Sequence, residues 1–327
     1  MDCKEIKVVI VTMFEPKEGC GELHFYREGL GLSPLSVPGL NLEALYINEK
    51  QDVLAIVTGM GTANTAIAIT ALGLCPAFDL SKAYWLISGI AGGNPNVCSI
   101  GSVVWAEWCI DGDLAYEIDA RELPEGWPTG ILPLGASQPY KPSKFNEDIF
   151  EGLYQHFHLD AELREWAYRL TQSIELQDTE TLATYRTCYK ASKVAQQPPS
   201  VRLGDTLAAA RFWHGTYFNT WAERWVRFWT QDQGSFATSN MEDTGTLQAL
   251  HHLDRLGRAK AKRVLLLRSI SNYTVPPPGI TAAQHLEKEG LDYSGLDLAL
   301  KNAFRVGGTV VKALVKRFET ALPSPPE

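Results

Sequence analysis

The sequence predicts an α/β fold in which helices cover both faces of a central sheet. The first apolar run, IKVVIVTMF, is continuous rather than alternating, which is typical of a strand that is buried on both faces. Two later strand-length runs each end in a glycine turn, in TGMGTAN and in SGIAGGNP, and a helical pattern follows the first turn. This recurring order of strand, glycine turn and helix is typical of α/β proteins.

The first half of the chain yields four strands and one helix. Strands are predicted over residues 6–14, 53–57, 83–93 and from 102 to about 110, and the helix runs from near 62 to about 74. Each glycine turn follows a strand directly.

The second half is predicted to begin with an insertion. Residues 112–143 are loop-like, one or two helices are predicted over 146–172, and we interpret the segment near 120–200 as a helical insertion. The whole of 1–320 is interpreted as a single domain, and the tail at 321–327 is predicted to be disordered.

Three helices and one strand are predicted after the insertion. Trp221, Trp225, Phe228 and Trp229 recur on one helical face, which favours a core or subunit interface over a base-stacking surface. A second helix, in MEDTGTLQALHHLDRLG, is predicted to stop at Gly257. A strand over 264–267 and a last helix over about 296–318 follow.

Composition excludes several classes of function. The chain has 327 residues and a net charge of −8, so no general attraction to nucleic acid or to anionic membranes is expected. No apolar run of about 18 residues is present, so no membrane-spanning helix is expected. The N-terminal run has strand length, and we interpret it as the first strand of a cytoplasmic protein; a signal peptide removed before this N-terminus is the alternative.

Metal and cofactor motifs are not found in the sequence. The six cysteines form no C-x-x-C pair, and the histidines lack the spacing of a zinc site. Neither glycine turn matches a P-loop or the G-x-G-x-x-G dinucleotide pattern. We therefore expect neither a metal nor a cofactor.

Acidic residues at two predicted strand or helix ends are candidates for chemistry. Glu15 ends the first strand, where a carboxylate can orient a water molecule or act as a base; a solvated turn residue is the alternative. Met241 and Glu242 lie where a helix is predicted to begin. A carboxylate there would bind sugar hydroxyls beside the apolar Met241, and the alternative is favourable pairing with the helix macrodipole.

The stretch RVLLLRSISNYTVPPPG, residues 263–279, changes from an apolar strand to a polar cluster that ends in three prolines. It is either a strand that simply surfaces or the ligand-binding edge of the sheet. In the second interpretation Asn272 faces the ligand, Ser269 or Ser271 supports it, and the prolines restrict the loop.

Three motifs together resemble one known family. ISGIAGGNPNVCSIGSVVWAEWCIDGDLAYEIDARE, MEDTGTLQAL and RSISNYTVPPPG resemble the purine nucleoside permease (NUP) family, which is similar to a branch of the nucleoside phosphorylase-I superfamily. That superfamily includes purine nucleoside phosphorylases and methylthioadenosine nucleosidase. The resemblance extends from residue 7 to about 318, and the segment near 120–200 resembles only the NUP branch.

The resemblance implies a three-layer α/β/α nucleoside phosphorylase-like fold with a mixed, partly closed central sheet. It also implies a nucleoside site at the C-terminal strand ends. There Ser88, Gly89 and Ala91 would line the base and ribose pocket, and Met241 and Glu242 would hold the ribose. Glu242 would accept hydrogen bonds from the 2′- and 3′-hydroxyls.

The resemblance implies three further roles. Asn272 would contact purine N7, Glu15 would position the attacking water, and His214 lies near a segment that supplies sugar or base contacts. An asparagine cannot give up a proton as a carboxylic acid can, so Asn272 would act through hydrogen bonds alone.

The nucleophile is predicted to be water. Phosphorylases need cations that bind phosphate, and no Arg or Lys occurs between Lys82 and Arg121. We therefore expect a purine nucleoside hydrolase. The alternatives are a purine nucleoside phosphorylase and a non-catalytic component that binds nucleosides for transport, as the family name implies. The partner is expected to be a small-molecule purine nucleoside, and the resemblance implies a homo-oligomer.

Overall fold

A computed structural model describes residues 3–38, 40, 44–50, 52–142, 155–289 and 294–318. The strands, numbered in chain order, are β1 (Lys4–Glu5), β2 (Val8–Thr12), β3 (Ser33–Pro34), β4 (Leu45–Ile47), β5 (Val53–Val57), β6 (Phe78–Asp79), β7 (Tyr84–Gly93), β8 (Val103–Ala106), β9 (Trp108–Asp111), β10 (Ala115–Glu117), β11 (Ile131–Pro133), β12 (His156–His158), β13 (Val201–Leu203), β14 (Asp205–Ala208), β15 (Phe236–Asn240) and β16 (Val264–Tyr273). The α-helices are α1 (His24–Leu30), α2 (Thr62–Leu74), α3 (Ala161–Thr171), α4 (Glu180–Arg186), α5 (Thr216–Trp229), α6 (Asp243–Arg255), α7 (Ala282–Glu289) and α8 (Ser294–Arg317).

Helices cover both faces of the central sheet, as the continuous apolar strands predict. Because successive side chains of a strand point to opposite faces, β2 divides between two cores. Val9 and Val11 pack in the core that contains α2 and α6, whereas Val8 and Ile10 pack in the core that contains α1 and α8. The three-layer α/β/α arrangement predicted from the resemblance is confirmed.

The long strand β7 organises the large mixed sheet. It pairs in parallel with β2 and with β16 and in antiparallel with β15. The sheet continues from β2 through β5 and β4 to β3 on one side, and from β15 through β14 and β9 to β12 on the other. The ends of β2, β5, β7 and β16 therefore lie at one edge of the sheet.

A sharp bend between β8 and β9 partly closes the sheet. β8 pairs with β16, whereas β9 pairs with β14, so the bend connects the two arms that leave β7. The Asp205 carboxylate stabilises the bend by accepting hydrogen bonds from the backbone N–H groups of Glu107 and Trp108. The single strand predicted from residue 102 to about 110 is wrong in this respect, because it is interrupted at Glu107.

Most other element predictions are confirmed. The strand Val53–Val57 and the helix Thr62–Leu74 have the predicted bounds, and the tryptophans of α5 pack in a core with Phe236. The strand predicted over 264–267 extends to Tyr273 because the polar residues after Leu267 continue to pair with β7. The sequence did not predict the short helix α1.

The segment near 120–200 is helical only in part. Its described residues include α3 and α4, but β11 forms a hairpin with β10, and β12 joins the sheet edge beside β9. The helix predicted across 156–158 is therefore wrong, because these residues alternate between exposed and buried positions in a strand. Residues 143–154 and the predicted disordered tail at 321–327 lie outside the described residues.

Among the described helices, none is both long enough and apolar enough to cross a membrane.

Candidate functional site

Three parallel strands of the central sheet end side by side at one edge. Thr12 ends β2, Gly89 to Gly93 end β7, and Arg268 to Tyr273 end β16. In the β16–β7 pairing Arg268 lies opposite Gly89 and Asn272 lies opposite Gly92, with an irregularity between Ile270 and Asn272. Ligands of open α/β sheets bind at such carboxyl-terminal edges, so this edge is the candidate site.

Arg268 is the centre of a buried charged cluster at this edge. Its side chain is 1 % exposed, and its guanidinium forms ion pairs with Asp243 and with Glu242 Oε2, the latter at 3.2 Å. Arg268 Nε also donates to Asp243 Oδ2 at 3.1 Å, and Nη1 donates to the Ile90 carbonyl at 2.8 Å. Buried charges require such partners, and the donors of Arg268 are therefore largely committed within the protein.

Glu22 is a second buried carboxylate beside this cluster. Its Oε2 accepts from the backbone N–H groups of Met13 at 2.7 Å and Phe14 at 3.0 Å, and its Oε1 accepts from the N–H of Ile90 at 2.7 Å. Burial raises the pKa of Glu22 to about 7, although Arg268 and the backbone donors oppose that rise. A carboxyl group with this pKa exchanges protons near neutral pH.

Gly89 allows the Glu22 and Arg268 side chains to approach β7. A Cβ atom at position 89 would lie 2.5 Å from Arg268 Nη1 and 2.6 Å from Glu22 Oε1. No larger residue fits there unless both charged groups move. This close approach is the structural role of Gly89, which the sequence predicted to line the pocket.

The start of α6 places Glu242 against the cluster. Asn240 Oδ1 accepts from the backbone N–H groups of Glu242 and Asp243, each at 3.0 Å, so Asn240 is the side chain that caps the helix. Burial raises the pKa of Glu242, while Arg268 and the backbone N–H groups of Met241 and Gly61 oppose that rise. The helix start is therefore capped by Asn240, and the Glu242 carboxylate is buried beside the cap.

A small pocket opens beside Met241 and Asn272. It is lined by Gly92 of β7, by residues 211–213 and 239–241, and by Asn272 and Thr274 at the end of β16. Ser271 Oγ donates to Asn272 Oδ1 at 3.0 Å, which orients the amide as predicted, whereas Ser269 Oγ bonds to the Ser102 carbonyl instead. The structure thus brings Met241 and Asn272 together in one pocket.

Three other predicted site residues, Ser88, Ala91 and His214, do not line this pocket. Ser88 Oγ is 2.8 Å from the Tyr26 hydroxyl in the core beneath α8, and Ala91 is buried in β7. His214 Nε2 is 2.8 Å from His285 Nδ1, and burial, together with His285, lowers the pKa of His214 to about 4. The side chains of Ser88 and His214 therefore bond to other parts of the protein rather than lining this pocket.

Glu15 lies on the outer side of the loop that contains Glu22. Its side chain is exposed, and its Oε1 accepts from the backbone N–H of Leu23 at 2.9 Å, just before α1 begins. This hydrogen bond holds the loop against the start of the helix. Glu15 thereby supports the segment that carries Glu22.

Sequence reasoning did not identify Glu22, Asp243, Arg268 or Arg211 as site residues. Arg268 and Asp243 stand within RSISN and MEDTG, so a search for paired charges in those motifs would have found them. Glu22 stands in the loop GCGELHF and carries no pattern of its own. In the described residues no group of histidine, cysteine, aspartate and glutamate side chains has the arrangement of a metal site.

Comparison with known proteins gives a match over nearly the whole chain. The family model described as purine nucleoside permease (NUP) matches residues 5–323. A probable purine nucleoside permease of Schizosaccharomyces pombe is 31 % identical over 318 residues, which cover 95 % of this chain and 90 % of the relative. A purine nucleoside permease of Candida albicans is 27 % identical over 293 residues, covering 87 % of this chain and 70 % of the relative.

Solved structures with a similar fold include nucleosidases and a hydrolase. The 5′-methylthioadenosine/S-adenosylhomocysteine nucleosidase of Neisseria meningitidis has a TM-score of 0.55 and 17 % identity, with 95 % of this chain and 99 % of that chain covered. The futalosine hydrolase of Helicobacter pylori has a TM-score of 0.54 and 13 % identity, with 94 % and 98 % covered. At these identities the likeness shows the fold alone.

Proposed function

The chain belongs to the purine nucleoside permease (NUP) family, and on that premise we propose that it hydrolyses the N-glycosidic bond of purine nucleosides. The products would be a free purine base and ribose. The observation that carries the proposal is the carboxyl group of Glu22, which is buried at the strand edge with a pKa raised to about 7. The nucleosidase-like fold supports it.

Hydrolysis of this bond passes through a sugar that resembles an oxocarbenium ion. The enzyme must place a water molecule, hold the sugar and stabilise the charge that develops on the departing base. Each of these three tasks has a candidate residue at the edge formed by β2, β7 and β16.

We assign the water to Glu22 rather than to Glu15. Glu22 is fixed by three backbone N–H groups and is buried beside the cluster, whereas Glu15 is exposed and bonds to Leu23. The ionised form of Glu22, which predominates above pH of about 7, would accept a proton from water in the transition state. The Glu15 prediction becomes the competing assignment.

Residues of the motifs identified in the sequence are assigned to bind the sugar and the base. Glu242 would accept hydrogen bonds from the ribose hydroxyls, and Arg268 keeps that carboxylate in place at 3.2 Å. Met241 lines the pocket and would pack against the sugar, while Asn272 would bond to the base. Ser88, Gly89 and Ala91 would contribute through the backbone of β7, and His214 through the loop that precedes α5.

Phosphate is the competing nucleophile. Arg268 binds carboxylates and a carbonyl of the protein itself, so few of its donors remain for an anion. Arg211 lines the pocket and is the residue that a phosphorylase mechanism would use. Water is favoured because the buried carboxylates Glu22 and Glu242 would repel phosphate at the position of attack.

The deciding experiment measures base release from inosine, guanosine and adenosine with and without inorganic phosphate. Hydrolysis predicts equal rates in both conditions and ribose as the sugar product. Release that depends on phosphate and yields ribose 1-phosphate would replace the hydrolase with a phosphorylase.

The names of the curated relatives favour a second candidate, a component that binds nucleosides for transport without chemistry. Such a protein would bind inosine or adenosine in calorimetry yet release no base during prolonged incubation. Base release that disappears in Glu22→Gln while nucleoside binding persists would rule it out.

We also propose that the chain forms a homo-oligomer through α2. The helix contains no charged residue, and Ile67 and Leu74 on its outer face are 69 % and 51 % exposed. Exposed apolar side chains aligned seven residues apart are typical of a helix that packs against another subunit.

A further inference from the structure

Arg211 contributes unused hydrogen-bond donors to the pocket beside Asn272. Its Nε and Nη2 atoms are shielded from solvent and have no hydrogen-bond partner among the residues that the structure describes. Its remaining terminal nitrogen, Nη1, is 3.7 Å from Glu117 Oε2, a contact too long for a hydrogen bond. Shielded guanidinium nitrogens without partners are costly, so they indicate a ligand that would supply acceptors.

The loop that carries Arg211 is anchored on both sides. Before Arg211, the backbone N–H of Ala209 donates to the Asn240 carbonyl at 3.0 Å. After it, the N–H of Gly215 donates to the Thr274 carbonyl at 2.9 Å. The guanidinium carbon itself lies 5.9 Å from the centre of the Trp221 ring. The loop backbone is therefore fixed on both sides of Arg211 before a ligand arrives.

Asn272 provides a further donor to the same pocket. Because Asn272 Oδ1 accepts from Ser271 Oγ, the Nδ2 group remains to donate, and its contact with the Tyr273 carbonyl is long, at 3.3 Å. Asn240 contributes little, since Nδ2 donates to Thr206 and Asp243 and Oδ1 accepts from two backbone N–H groups. The Arg211 and Asn272 side chains therefore both provide hydrogen-bond donors at this pocket.

We propose that Arg211 makes this site selective for 6-oxopurines, the class that contains hypoxanthine and guanine. The O6 and N7 atoms of these bases form a row of two acceptors that an arginine contacts through paired donors. Adenine carries an amino group, a hydrogen-bond donor, at position 6. This group would face the N–H donors of Arg211, and at least one of those N–H groups would be left without an acceptor.

This inference rests on the proposed function only in placing the purine base in the pocket of Arg211 and Asn272. It concerns binding and does not require that the glycosidic bond be broken. Base affinity and base release are therefore measured separately.

The test is calorimetric titration with hypoxanthine and with adenine. We expect the unchanged protein to bind hypoxanthine about 10- to 100-fold more tightly than adenine. In Arg211→Met that preference should fall to within about threefold through weaker hypoxanthine binding, because the methionine has no donors. Arg211→Lys should recover part of the preference, since it keeps the charge but not the planar pair of donors.

The matched control is Arg227→Met. Arg227 is an arginine of α5 whose side chain pairs with Asp232 on the surface, at 2.8 Å. It does not line the pocket, so the preference for hypoxanthine should be unchanged. Thermal melting of each variant verifies that it is folded.

Two results would overturn the inference. Equal binding of hypoxanthine and adenine by the unchanged protein would show that Arg211 does not discriminate at position 6. Titration with inorganic phosphate that binds the unchanged protein and not Arg211→Met would identify an anion site instead. Selective hypoxanthine binding without any base release would preserve the inference and refute the hydrolase.

Discussion

At the scale of single residues, the positions of Glu22 and Glu15 distinguish a candidate catalytic base from a carboxylate that supports a loop. The sequence alone could not make this distinction. Both carboxylates accept backbone N–H groups of the same loop region, yet Glu22 is buried against β7 and Glu15 is exposed. A carboxylate that deprotonates water in a transition state must lie at the reacting centre. Position, rather than residue type, therefore decides between them.

We predict that Glu22→Gln lowers kcat/KM for base release by about 10²- to 10⁴-fold, the usual contribution of a positioned base. Glu15→Gln should remain within about threefold of the wild-type protein, because the glutamine carbonyl can still accept from the Leu23 N–H and only the exposed charge is lost. Steady-state kinetics with inosine tests both variants. A large loss in Glu15→Gln combined with an active Glu22→Gln would return the role to Glu15.

The pKa of Glu22 also predicts a dependence of stability on pH. The folded protein holds the proton of Glu22 up to a pH of about 7, whereas the unfolded chain releases it near 4.5. The contribution of protonated Glu22 to the free energy of unfolding is therefore complete below pH 4.5 and is lost as the pH rises through 7.

The measurement compares the free energy of unfolding of the unchanged protein with that of Glu22→Gln across this pH range. We expect the difference to shift by on the order of 1–3 kcal/mol in favour of the variant as pH rises. Other titrating groups occur in both proteins and largely cancel. A difference that does not change with pH would mean that the Glu22 carboxyl group has an ordinary pKa.

At the scale of elements, the start of α6 connects helix formation to the site. Asn240 caps the helix, donates to Asp243 at 2.6 Å and contacts Arg268 at 3.3 Å. Asp160 also caps a helix, because its side chain accepts from Leu163 at the start of α3. The Asp160 cap has no contact with the charged cluster.

We predict that Asn240→Ala lowers the free energy of unfolding by about 2–4 kcal/mol, since it removes a cap and leaves buried charges short of partners. It should also lower kcat/KM by at least about tenfold, because Glu242 loses its fixed position. Asp160→Ala should cost about 1 kcal/mol and leave activity unchanged. Urea unfolding and kinetics test this; equal activity losses in both variants would contradict a specific role for Asn240.

At the scale of the whole molecule, one face of α2 is buried against α6. The other face is exposed and carries no charged residue. Its inner face packs in the core through Ile69 and Leu72, whereas Ile67 points outward. We predict that Ile67→Glu dissociates the proposed oligomer, because a charge buried between subunits lacks a partner. Light scattering after gel filtration measures the mass; Thr70→Glu, at another exposed position of α2, tests whether the effect spreads across that face.

If the wild-type protein is monomeric at micromolar concentration, the proposal of a homo-oligomer is wrong. If the unchanged protein is oligomeric and Ile67→Glu keeps the same mass, the interface lies on another surface. Activity measured in the same samples shows whether the site depends on a second subunit.

The sequence by itself determined the layered fold. The continuous apolar strands and the glycine turns required a sheet buried on both faces, and the bounds of Val53–Val57 and Thr62–Leu74 followed from local pattern alone. The motifs around Glu242 and Asn272 were also readable, because each places a polar group directly at the end of an apolar element.

Only the tertiary structure decided which charges meet. Glu22 is separated from Glu242 and Arg268 by more than 200 residues, and the three converge because parallel strands end at one edge and Gly89 leaves space for them. The same is true of Arg211, whose loop is brought to Asn272 by hydrogen bonds to Asn240 and Thr274. The burial of charged side chains and their long-range contacts have no signature in local sequence, and they determine both the raised pKa of Glu22 and the unpaired donors of Arg211.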